Sequence, residues 1–124
     1  MYPYDTSFTP PAPALAALVS SAQSSGAMRP VTAQLDTGAD VSGVPITLLS
    51  ELGIEPYQSI QVQDYDGAGK QVRTFLVQLE FDRFRFRRLE VVALDASCIL
   101  LGRDVLNNLR LTLDGPSLTF GFRV

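Results

Sequence analysis

Most of the chain is written in short apolar alternations. SIQVQDY, QVRTFLVQLEF and the two runs flanking Asp114-Gly115-Pro116 set apolar residues at alternate positions, which sends successive side chains to opposite faces of a strand. Between these runs stand Asp66-Gly67-Ala68-Gly69-Lys70, FDRFR and Asp114-Gly115-Pro116, residues suited to reversing the chain. PALAALVSS and RPVTAQL, separated by a Ser-Ser-Gly stretch, read as a further hairpin. The sequence therefore predicts an all-β domain.

Two short helices interrupt it. In VPITLLSELG, Pro45 suits a first helical position and Gly53 the position just past the end. Asp104 suits the N-cap of a second segment, Val105 to Leu109. The first eleven residues, MYPYDTSFTPP, are proline-bearing and aperiodic, so they are expected to form an extended arm, 1–11, outside a single domain, 12–124. Deletion of residues 1 to 7 is expected to be tolerated.

At 124 residues with no histidine, the chain is long enough for one core but has no Ser-His-Asp triad, Cys-His pair or HExxH zinc site. Hydrolytic chemistry here must rest on carboxylates, lysine or tyrosine. The lone cysteine, Cys98, excludes an internal disulfide and is expected to be buried. PALAALV is too short to cross a bilayer and no basic residue precedes it, so a soluble, cytoplasmic protein with no membrane partner is expected. A formal charge of −3 argues against bulk attraction to nucleic acid. FDRFRFRR interleaves aromatic and basic residues as some nucleic-acid binders do, but a strand with Phe inward and Arg outward accounts for it.

Asp36-Thr37-Gly38 follows the run RPVTAQL. Alone, the triplet is an ordinary turn. About sixty residues later stands ILLGRD, an apolar run closing on Gly102, Arg103 and Asp104. This pair of motifs, with a glycine-bearing hairpin tip between them, resembles the retropepsin-like aspartic proteases, the retroviral proteases and their cellular and bacterial relatives. The resemblance spans about residues 12 to 122, with its specificity in the first and last motifs. It implies a closed β-barrel or sandwich with one or two short helices, one DTG per chain, and a C2 homodimer.

The implied activity is that of an aspartic endopeptidase with Asp36 as the catalytic residue. A water between Asp36 of two subunits would be activated to hydrolyse an extended peptide or protein substrate, with no cofactor and no metal. Two carboxylates about 4 Å apart repel by roughly 4 kcal/mol at an effective dielectric near 20, so the pair retains one proton and supplies both acid and base. By the same resemblance Thr37 would hydrogen-bond across the dimer, and Gly38 would let the backbone approach the carboxylates. Ala39, in place of the serine of many pepsin-like relatives, implies a less acidic optimum. Asp40 and Arg103 would brace the loop as an ion pair, although two solvated charges are the plain alternative. Asp66, Gly67, Ala68 and Gly69 would form the tip of a flap over about residues 60–80, which lacks the GK[ST] of a phosphate loop and the ligand set of an EF-hand. Asp36 with Asp40 lacks further ligands for a metal. Leu111, Leu113, Leu118 and Phe120 of a C-terminal hairpin would build much of the dimer interface. The competing expectation is a catalytically silent peptide-binding or assembly module of the same fold.

Overall fold

The computed structural model describes residues 1–24, 26–63 and 67–123. In chain order the elements are β1 (Tyr2–Pro3), β2 (Ala14–Ser21), β3 (Arg29–Leu35), β4 (Gly43–Pro45), α1 (Ile46–Glu51), β5 (Ser59–Gln63), β6 (Gly69–Phe81), β7 (Phe84–Leu94), β8 (Ile99–Leu101), α2 (Arg103–Leu106), β9 (Arg110–Asp114) and β10 (Thr119–Arg123). Each predicted hairpin forms: β2 with β3, β5 with β6, β6 with β7, and β9 with β10.

Two sheets result. One runs β2-β3-β8-β4-β7-β6-β5, and a further pairing of β2 with β6 shuts its first six strands into a ring. Closure satisfies backbone groups that an open sheet would leave on its edges. The other sheet has the order β1-β10-β9.

Inside the ring the alternation delivers Val19, Ala33, Val77, Val91, Ile99 and Leu101, all fully buried, together with Val105 of α2. At one end the filling turns aromatic. Phe81 stacks on Phe86 at 5.9 Å, Phe84 meets Phe122 edge-on at 5.3 Å, and Tyr2 stacks on Phe120 at 5.3 Å. These contacts fasten the three-stranded sheet to the barrel beside the β6–β7 turn. The segment FDRFRFRR thus turns Phe81, Phe84 and Phe86 onto the core, while Arg83 pairs with Asp82 and Arg85 with Glu80 outside.

Four local outcomes differ from the sequence reading. Residues 1–11 are packed: β1 adds to β10, Tyr2 and Tyr4 lie against the core, and the Tyr2 hydroxyl donates to Asp82. That bond holds the Asp82 carboxyl below its ordinary range and, with burial adding to it, raises the Tyr2 phenol above its own. Phe120 is fully buried within its own chain, because the apolar face of the C-terminal hairpin covers the barrel end; Leu111 also packs there. Asp104 is not a cap. Gly102 holds that position with no side-chain cap, and the helix spans Arg103–Leu106; the Asp104 carboxylate, inside the helix, accepts from Ser42 and from the Val105 amide. Cys98 is half-buried rather than buried, and that burial pushes its thiol up. α1 starts just after Pro45, and Gly53 follows its C-cap at φ +67°, the left-handed conformation glycine adopts most readily. Among the described residues no helix is long and apolar enough to cross a membrane.

Candidate active site

The site is made where β3 and β8 end side by side. They pair in parallel, Gln34 with Leu100 and Leu35 with Leu101, so Asp36 and Gly102 leave the sheet together. Leu35 and Leu101 are buried beneath them. The Asp36 amide donates to the Leu101 carbonyl at 2.9 Å, which extends the ladder by one bond and anchors the backbone under the carboxylate. Above it the Gly38 amide donates to Asp36 Oδ1 at 2.9 Å. That bond fixes the side chain's direction.

The loop that follows is stitched to the second motif. The Arg103 amide donates to the Ala39 carbonyl at 2.9 Å, and its guanidinium to the Thr37 carbonyl at 2.7 Å and to the Asp40 carboxylate. The Asp40 and Arg103 side chains are 82% and 44% exposed, so the ion pair itself contributes about 0–1 kcal/mol. The brace lies mainly in the two backbone carbonyls. A deeper link is dry: Ser42 is fully buried. Its hydroxyl donates to Asp104 Oδ1 at 2.7 Å and accepts the Gly102 amide at 2.9 Å, and its own amide donates to Asp104 Oδ2 at 3.0 Å. A β-carbon on Gly102 would stand 2.9 Å from the Ala39 carbonyl oxygen, and one on Gly38 3.2 Å from Asp36 Oδ1. Gly102 needs glycine for the two motifs to approach this closely, whereas a side chain at Gly38 would press on the Asp36 carboxylate of its own motif.

Asp36, Thr37, Gly38, Ala39, Asp40 and Arg103 therefore form one junction. Thr37 and Gly38 are exposed and Asp36 is half-buried, and the Thr37 hydroxyl has no hydrogen bond among the described residues. Beside the loop lies a cleft of about 500 Å³ lined by Gly38, Asp40, Val41, Ile60, Gln61, Val62 and Val92. Its roof comes from β5. Gly67, Ala68 and Gly69 lie at the far end of the β5–β6 ribbon, where Gly69 pairs with Gln63; Asp66 lies outside the described residues. A groove of about 660 Å³ on the outer face of β2, β6 and β7, around Leu18 and Arg85, includes none of the DTG residues. Among the described residues no group of three or more His, Cys, Asp or Glu side chains could hold a metal ion.

The sequence reading missed Ser42, and it saw Asp104 only as a cap. No local pattern marks Ser42 within VSGVP, because its partner is 62 residues away. The hydrophobic positions of the cleft were legible as strand residues, but not as lining.

Residues 23–108 match the family model described as "gag-polyprotein putative aspartyl protease". The chain belongs to that family. Its fold is likewise similar to the EIAV protease in complex with the inhibitor HBY-793, with a TM-score of 0.57 at 21% identity over 78% of this chain and 86% of that one. The solution structure of the Simian Foamy Virus (mac) protease is also similar, with a TM-score of 0.57 at 22% identity over 77% of this chain and 92% of that one. Among curated proteins there is no match. The retropepsin-like fold expected from the two motifs is the fold of this family member.

Proposed function

We propose that this family member is an aspartic endopeptidase that works as a C2 homodimer. The observation that carries the reading is the pinned DTG loop: an aspartate fixed at a strand end, its loop bound to the Gly102–Arg103 segment, next to an apolar cleft under a two-stranded ribbon. One carboxylate cannot be both acid and base in the same step. A twin Asp36 across a two-fold axis supplies the second: the ionised carboxylate takes a proton from the attacking water while the protonated one gives its proton to the oxygen of the scissile carbonyl. Thr37, whose hydroxyl has no hydrogen bond among the described residues, would bond to the partner's loop. The ribbon would close as a flap, and the substrate would lie extended beneath it as an added strand.

β9 is an outer strand of the three-stranded sheet among the described residues. Leu113 and Leu118 are exposed beside it, which supports this edge as the surface for the twin. Ala39 offers no hydroxyl to the carboxylate pair, so activity should peak at a less acidic pH than in pepsin-like enzymes. The test compares wild type with Asp36→Asn on a diverse peptide library across pH. Cleavage by wild type alone is expected. A wild type that binds peptides and leaves them intact at every pH would make it a silent peptide-binding module.

A further inference from the structure

Strand β6 changes company at Thr74. From Gly69 to Arg73 it pairs with β5, and from Thr74, opposite Val92, it joins β7 and the barrel. Residues 69–73 are exposed apart from half-buried Val72, whereas Thr74 is fully buried. A two-stranded ribbon therefore stands on the barrel with its foot at Thr74. Two strands alone are marginal in water, so the lean of this ribbon must be set at that foot.

The other rail enters through Tyr57 and Gln58. The Tyr57 amide donates to the Thr74 carbonyl and the Thr74 amide to the Gln58 carbonyl, each at 2.7 Å. The Thr74 hydroxyl lies 2.6 Å from Glu90 Oε2 and 3.1 Å from the Gln58 carbonyl oxygen. Its one proton goes to the carboxylate, the nearer and charged acceptor. The Gln58 side-chain amide donates to the same Glu90 oxygen at 2.6 Å. One carboxylate oxygen on β7 thus gathers both rails of the ribbon. Arg88 over the Tyr57 ring, at 5.6 Å, holds the same segment from the next side chain but one.

We propose that Glu90 is a positioning residue for the ribbon: by pinning Gln58 and Thr74 it sets how β5 and β6 lean over the cleft beside Gly38 and Val41. Ile60 and Val62, which line that cleft, lie just beyond the pin. A consequence for peptide turnover rests on the protease reading; the pin does not.

Hydrogen–deuterium exchange on the full chain tests it with Glu90→Ala, Gln58→Ala and Glu90→Gln. In Glu90→Ala, amides of residues 59–63 and 69–73 should exchange about tenfold faster, because two charge-assisted bonds are lost, while β2 and β3 keep wild-type protection. Gln58→Ala should give the same pattern at smaller size. Glu90→Gln should stay near wild type, since its amide oxygen still accepts. In peptide cleavage, Glu90→Ala should raise KM about fivefold and leave kcat within about twofold. Unchanged ribbon exchange in Glu90→Ala overturns the proposal, as does an equal rise in β2 and β3, which would mean general loosening. If wild type cleaves nothing while the exchange pattern holds, the protease reading fails and the pin stands.

Discussion

Two residues beside the same loop show how burial decides worth. Asp40 makes the more conspicuous contact, yet it is mostly exposed and water competes for its partner. Ser42 is small and fully enclosed. Removing its hydroxyl strips Asp104 of a donor and leaves the Gly102 amide unpaired in a dry site, at a cost of about 2 kcal/mol. Ser42→Ala should therefore lower the unfolding free energy by about 2 kcal/mol in urea titration, against less than about 1 kcal/mol for Asp40→Ala. Equal losses would refute this ordering. The sequence pointed the other way, since Asp40 and Arg103 stand out as charges in known motifs and Ser42 has no local signature. The type of Asp104 points to the nearest helix, and its carboxylate does accept the Val105 amide there, but its other partner, Ser42, is 62 residues away and has no local sign.

Hairpins were the most legible elements, because alternation and turn residues are both encoded within a few positions of each other. The parallel joining of β3 to β8 was not, although it is what brings Asp36 to Gly102; nothing in either strand names its distant neighbour. The N-terminal arm was misjudged for a related reason. Tyr2 and Tyr4 form no run of their own, and their partners are Phe120, Phe122 and Asp82. Deleting residues 1 to 7 should thus cost about 2–4 kcal/mol of stability from lost aromatic burial, measured by urea unfolding. A small part of that cost should depend on pH. Asp82, held below its ordinary value of 3.8, contributes above that value and loses its share as pH falls through the lowered one; Tyr2, raised above 10.0, contributes below that value and loses its share as pH rises through the raised one. The gap between full-length and shortened chains should be widest at neutral pH and narrow at both extremes. A gap that grows in acid would contradict the Tyr2–Asp82 bond.

At the scale of the whole molecule, the proposed chemistry makes activity a property of pairs. Specific activity should fall as the chain is diluted through its dimer dissociation constant, in step with the sedimentation coefficient. Leu113→Lys, on the exposed side of β9, should shift that fall to at least about tenfold higher concentration, if it removes about 1.4 kcal/mol of association. Activity independent of concentration down to the monomer would exclude a shared site. The shut ring has a corollary for how crowded copies of this protein behave. With six strands spent on one another, much of the open backbone valence among the described residues gathers on the two-stranded ribbon of β5 and β6 and on the outer strands β1 and β9. Solubility of the lone chain therefore turns on those seams, and a bound peptide or a twin would act on them as its stopper.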